Sequence, residues 1–344
     1  MKRRDLIKTA IASSFFLLGN QTNIKSFQLN DVKKIKPLRL KPGDKIGIVA
    51  PATFTPKTEE IDRAIQAVEA LNLVPVFGST FRDKTGWRTK PIELRAKELM
   101  EMFIDPEIKG IFCIRGGYGS IGIVDKLNYS LIAKNPKIFL GYSDITTLLI
   151  NIFQKTGLVT LHSPMLLSNY DGSFELLKQY LFTNKPIGLL KNAQTDEIRK
   201  KNYYTIKSGI ADGEIIGGNL SIITSLIGTE YEIRTEGKIL FLEDVGEEPY
   251  HIDRMLHQLR LSKKLDKIKG LVFGLCTDCE SKGVPVWDKS LLDVLIEHFS
   301  GENYPSFYGL TIGHTFNQIP LPVGVNCRLD STEGAINIIE NYCE

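Results

Sequence analysis

Residues able to run acyl transfer stand at places where this chain changes direction. The first is Ser143, in the stretch Gly141-Tyr142-Ser143-Asp144. An apolar run of strand length, Ile138 to Leu140, meets Gly141. Beyond Ser143, Ile145, Leu148, Leu149 and Ile152 fall on one face of a helix. A serine at a strand-to-helix corner projects its hydroxyl, and the N–H groups opening the helix suit the oxygen of a tetrahedral intermediate. The same serine could simply cap the helix, with Asp144 in its first turn. The second candidate is Glu243, which ends the apolar run Leu240-Phe241-Leu242 and needs a partner, because an unpaired buried charge is costly. The third comes from five histidines, His162, His251, His257, His298 and His314. His314 follows Gly313 between a strand and a loop, where catalytic side chains are commonly presented, and could be the partner of Glu243. A structural salt bridge would explain Glu243 equally well. Nucleophile, base and orienting group together are what metal-free acyl transfer needs.

No HExxH occurs. His251 and His257 are six residues apart and point to different sides of a helix, which argues against a metal-dependent hydrolase. His298 lies within a helical run and reads as a surface or core histidine. The loop Arg115-Gly116-Gly117-Tyr118-Gly119 is neither a Walker motif nor GxGxxG, so a dinucleotide cradle is unsupported. Its glycines allow backbone N–H groups to approach a ligand closely, which suits the second half of an oxyanion hole.

The elements that must carry these residues alternate. Strands are expected at Lys45–Ala50, at Leu73–Phe77 (an edge strand, given Pro75), at Ile111–Ile114, at the run before Ser143 and at Leu158–His162. Helices lie between them, about Ile61–Leu71 and 91–103. That order predicts an α/β fold with a parallel sheet, whose chemistry gathers at the carboxyl edge of the strands. The Gly loop and the Ser143 turn share that edge. The pattern weakens from 166 to 205, read as an inter-domain linker with a helix near 172–182. It resumes in a second α/β domain: Gly213–Asn219, a helix over Leu220, Ile223 and Leu226, the strand Lys238–Glu243, a helix opened by Pro249, the strand 270–275 and a helix near 287–299. The expected domains are 37–165 and 206–340.

The chain has 344 residues and a formal charge of +3. Residues 1–29 hold a surplus of +4, leaving the remainder near −1. No basic patch argues for nucleic acid. Arg3-Arg4 ahead of a short apolar stretch ending at Leu18 is similar to a twin-arginine export signal, with a general secretory signal as the other reading. The protein is therefore expected outside the inner membrane, with an uncleaved anchor left open. Among five cysteines, Cys276 and Cys279 have CxxC spacing without a second pair. They read as small residues at a strand end, with a disulfide as the alternative in an oxidising compartment.

Taken together, the motifs resemble the LD-carboxypeptidase family, serine peptidases that include muropeptide-trimming and microcin-immunity enzymes. The resemblance runs from about Lys41 to Leu329. Its carriers are Arg115–Gly119, Gly141–Asp144, Gly217-Gly218-Asn219, Leu242–Tyr250, Ile252–Arg254, Gly313-His314 and Leu321–Gly324. It implies a triad of Ser143, Glu243 and His314, with oxyanion donors at Gly117 and Asp144. It implies no metal or cofactor, a flavodoxin-like N-terminal domain, a C-terminal domain containing a small β-barrel, and a homodimer with its active site in the inter-domain cleft. The implied reaction releases terminal D-alanine from a peptidoglycan tetrapeptide. Arg115 or Arg254 could hold the substrate carboxylate. Two alternatives are an immunity-type peptidase acting on peptidyl- or aminoacyl-nucleotides and, in another class, a periplasmic solute-binding protein.

Overall fold

Strand β1 (Lys45–Val49) enters the first sheet with Ile46, Ile48 and Val49 fully buried. A strand apolar on both faces is the pattern of a parallel sheet covered on both sides. It belongs to a computed structural model that describes residues 33–83, 88–168, 172–192, 203–281 and 289–344. The expected export segment, 1–29, lies outside the described residues, as does part of the expected linker.

After β1 come helix α1 (Thr58–Glu69), β2 (Val74–Phe77), α2 (Ile92–Ile104), β3 (Ile108–Cys113), α3 (Tyr129–Lys134), β4 (Ile138–Gly141), α4 (Thr146–Thr156) and β5 (Thr160–His162). Then follow α5 (Phe174–Phe182), β6 (Gly188–Leu190), β7 (Tyr204–Lys207), β8 (Ile210–Asn219), α6 (Leu220–Ser225), β9 (Lys238–Glu243), α7 (Pro249–Leu261) and β10 (Gly270–Gly274). The chain closes with α8 (Leu291–Phe299), β11 (Ser306–Leu310), β12 (Leu321–Val323), β13 (Asn326–Asp330) and β14 (Ala335–Ile338).

The first sheet has six strands in the order β12-β5-β4-β3-β1-β2. Its pairings are parallel except for β12, which returns from late in the chain to lie antiparallel to β5. β2 is an edge, so Pro75 removes no ladder bond there. The second sheet has eight strands, β6-β14-β13-β8-β9-β10-β11-β7. Its centre, β8 to β11, is parallel and its flanks are antiparallel, giving a mixed sheet curled as a half-barrel.

Helix α4 joins the two sheets. Its apolar face (Leu148, Leu149, Ile152) is buried against the first core, but its polar residues are buried too. Thr146 accepts from the Asn219 N–H at 3.1 Å, Asn151 donates to the Tyr231 carbonyl at 3.2 Å, and Gln154 accepts from the Arg234 N–H at 2.6 Å. Backbone groups of the second half thus satisfy the polar side of a helix that belongs to the first, as buried polar groups require. Cys276 and Cys279 are joined by a disulfide just past β10, so the alternative reading of that pair is the one observed. Among the described residues no helix is long and apolar enough to cross a membrane.

Candidate active site

The two sheets bring their carboxyl edges together. β3 leads into Gly116-Gly117 and β4 into Ser143. In the second sheet β9 ends on Glu243, and His314 follows β11 by four residues. In the β8–β9 ladder Asn219 is the register partner of Glu243. The next carboxylate, Asp244, accepts from the Asn219 side chain at 3.0 Å and the Ser221 N–H at 2.8 Å, which ties the two strand ends together.

Ser143 is held with φ of 62°, left-handed backbone that costs a non-glycine residue about 1–2 kcal/mol. It is one of five non-glycine residues with positive φ among the described residues, and strain of this kind concentrates at functional turns. The cap positions of the turn and of α4 fall on Tyr142 and Ile145, and the Ser143 hydroxyl pairs with His314 instead, so the capping alternative is not what the turn does. Ser143 Oγ lies 3.0 Å from His314 Nε2, and His314 Nδ1 lies 2.9 Å from Glu243 Oε2. The same Oε2 accepts from the His314 backbone N–H at 3.4 Å. Gly313 makes this possible. Its φ is 78°, and a Cβ there would overlap the Glu243 carboxylate.

Burial pushes the Glu243 carboxyl up, but the hydrogen bond and charge of His314 outweigh it and hold the acid below its ordinary range. Burial likewise lowers His314, while the Glu243 hydrogen bond and charge more than offset it, so the imidazole sits above its ordinary value. Glu243 is fully buried and His314 partly open, which puts the charge behind the base and the base beside the nucleophile. A carboxylate on Nδ1 leaves Nε2 free to take a proton from Ser143.

Asp144, the residue after the serine, is buried. Its carboxylate accepts from the Ser120 N–H at 2.8 Å, and burial raises its pKa above the usual carboxylate range. Its own N–H opens a helical turn, where no earlier carbonyl of the helix can accept it. Gly116 packs so closely on Ser143 that a Cβ would stand 2.9 Å from the serine Cβ. Gly117 has φ of 112°, and a Cβ there would overlap Thr53 Oγ1. Both glycines line, with Ser143, His314 and Tyr142, a cavity of about 300 Å³. That size suits a small ligand or the end of a peptide. The glycine loop is held from behind by the buried Arg95, whose guanidinium donates to the Gly119 carbonyl at 2.7 Å.

The two arginines singled out from sequence separate here. Arg115 lines the cavity and lies 3.6 Å from Glu60. Arg254 stacks on the Tyr250 ring at 5.4 Å and is not among the cavity-lining residues. Sequence reasoning missed Arg63, which lines the cavity and donates to the Leu167 carbonyl at 3.3 Å. Its only signal was position: it lies three residues after Glu60, on the same face of α1. It also missed His162, fully buried at the end of β5 with its ring 5.2 Å from Phe241. Burial pushes this imidazole down to about 4, so it stays neutral behind the triad.

Two family models match the chain. The LD-carboxypeptidase N-terminal domain covers residues 46–163 and the LD-carboxypeptidase C-terminal domain covers 212–329. A Bacillus subtilis (strain 168) protein named "Probable murein peptide carboxypeptidase" is 38% identical over 87% of this chain and 92% of its own. Among solved structures, the muramoyltetrapeptide carboxypeptidase from Oxalobacter formigenes is 27% identical with a TM-score of 0.75, covering 87% of this chain and all (100%) of that one. The microcin C7 self-immunity protein MccF in complex with aspartyl sulfamoyl adenosine is 26% identical with a TM-score of 0.77, covering 90% of this chain and 100% of that one. The chain belongs to the LD-carboxypeptidase family of serine peptidases.

Proposed function

We propose that this protein is a metal-independent serine carboxypeptidase that cleaves the L,D-peptide bond before the terminal D-alanine of peptidoglycan tetrapeptides. The observation that carries the reading is the hydrogen-bonded line from Ser143 Oγ through His314 to buried Glu243, opening on a glycine-lined cavity. The names of the relatives supply the substrate class.

His314 Nε2 takes the proton of Ser143 as Oγ attacks the carbonyl carbon. Negative charge develops on the carbonyl oxygen and is met by the N–H groups of Gly117 and Asp144, each worth about 3 kcal/mol of barrier. The tetrahedral intermediate collapses, the C–N bond breaks, and the proton on His314 passes to the departing D-alanine amine. Water then enters, gives its proton to His314 and attacks the acyl-enzyme, and Ser143 recovers its proton as the shortened peptide leaves. Arg115, at the cavity wall, binds the terminal carboxylate.

The test is D-alanine release from a purified muropeptide tetrapeptide by wild type and by Ser143→Ala. Release confined to the wild type supports the reading, and no release by a folded wild type overturns it. A second reading is favoured by the MccF complex with an aminoacyl-nucleotide analogue: hydrolysis of a peptidyl- or aminoacyl-nucleotide amide by the same triad. Offering that substrate alongside the tetrapeptide separates the two. The export reading of residues 1–29 belongs to the same proposal, and replacing Arg3 and Arg4 by lysine should retain the protein in the cytoplasm.

A further inference from the structure

Helices α7 and α8 pack against each other on the second half of the molecule. Asp253 and His257 lie four residues apart on one face of α7, and His298 projects from α8. One ligand atom from each of the three lies within 4.8 Å of the others. His298 Nε2 is 2.8 Å from Asp253 Oδ1, and His257 Nε2 is 3.5 Å from the same oxygen. Tetrahedral zinc, with bonds of about 2.0–2.1 Å to nitrogen and oxygen, places its ligand atoms about 3.3 Å apart. The two histidine–carboxylate distances lie within about 0.5 Å of that spacing, and no pair of the three ligand atoms is more than 4.8 Å apart.

We propose that Asp253, His257 and His298 form a zinc-binding site that clamps α7 to α8. The donor set, two imidazole nitrogens and one carboxylate oxygen, is one that zinc uses. A buried His298 paired with Asp253 would by itself be an ordinary satisfied core histidine. His257 is what departs from that account. Its side chain is 58% exposed, yet its ring is turned edge-on to His298 with centroids 4.6 Å apart and its Nε2 aimed at the shared carboxylate.

The surrounding charges leave room for a cation. Arg260 is occupied by Glu302 at 2.6 Å and by the His298 carbonyl at 2.6 Å, and Lys289 pairs with Glu297. A cavity of about 370 Å³, lined by His257, Arg260, Glu297, His298, Gly301 and Glu302, opens beside the two histidines. Water entering there supplies the fourth position. The site shares no lining residue with the cavity at Ser143, so its role is to fix the helix that follows Glu243 rather than to touch substrate.

The test uses the full, untagged chain with its Cys276–Cys279 disulfide intact and zinc chloride as the probe. Equilibrium dialysis with metal analysis should find one zinc per chain at micromolar metal, and zinc should raise the melting temperature. His257→Ala and Asp253→Asn should each weaken binding by at least about 100-fold, since losing even an outer-shell partner costs 10–100-fold. His251→Ala, elsewhere on the same helix, should bind as wild type. His257 is exposed, so its variant tests the site without disturbing the core. Zinc bound equally well by His257→Ala, or no zinc bound by wild type, would overturn the proposal. D-alanine release is predicted to persist after chelation, which keeps this test independent of the triad.

Discussion

Replacing Glu243 by glutamine removes one charge while keeping the shape of the side chain, and the structure sets the size of the effect. The carboxylate oxygen sits 2.9 Å from His314 Nδ1, which puts the two charge centres about 4 Å apart once His314 is protonated. At an effective dielectric of about 20, that pair is worth about 4 kcal/mol, or about a thousandfold in rate. Tautomer choice adds to this. Glu243 Oε1 has no hydrogen-bond partner among the described residues, so the glutamine NH2 gains nothing by turning that way. Amide molecules that turn the NH2 toward His314 hold its ring in the wrong tautomer. Losing the orienting carboxylate of such triads costs up to about 10⁴, so kcat should fall by about 10³–10⁴. The assay is D-alanine release measured across pH. His314 must be neutral to act as base, so activity is lost as pH falls through its pKa. Wild type should lose activity below a pH above the ordinary imidazole value, because Glu243 raises His314. In Glu243→Gln the acid limb should move to lower pH. A variant with native melting behaviour, activity within tenfold of wild type and an unmoved acid limb would refute the orienting role of Glu243.

Three further outcomes follow from the same geometry. Gly313→Ala places a methyl group against the Glu243 carboxylate, so kcat should drop at least tenfold while circular dichroism stays native. Arg115→Ala should raise KM for the tetrapeptide about tenfold or more, whereas Arg254→Ala, outside the cavity, should leave KM unchanged; the reverse pattern would move the carboxylate site. Glu98 is buried beneath β1, where burial pushes its carboxyl up to about 7 although it accepts from the Ala50 and Thr80 N–H groups. The folded state then holds a proton that the unfolded state releases, so this residue's contribution to stability falls as pH rises from about 4.5 to 7. Denaturant titrations of Glu98→Gln should lack that decline, and an identical slope in both proteins would reject it.

Much of the site was readable from the chain because local rules carried it. The change from strand run to helical period fixed the Ser143 corner, and an acid ending an apolar strand marked Glu243. Glycine before His314 marked a backbone that the structure shows bent around the carboxylate. What stayed hidden depends on distant packing. Arg63 reaches the cavity only because α1 lies beside Gly116 and Leu167. The polar face of α4 looks solvent-ready in sequence and is instead buried against Tyr231 and Arg234. His257 was compared with His251 on its own helix, whereas its neighbour is His298, brought in by another. The return of β12 to the first sheet is equally non-local, since three residues give no sign of which sheet they join.

The most direct measurement of the central claim is covalent labelling of Ser143. Wild type and His314→Ala would be treated with a fluorophosphonate and the adduct located by mass spectrometry of peptides. The account predicts one adduct, on Ser143, formed rapidly in wild type and at least about a thousandfold more slowly in His314→Ala, where no base takes the proton. An adduct on another residue, or equal labelling of both proteins, would contradict it.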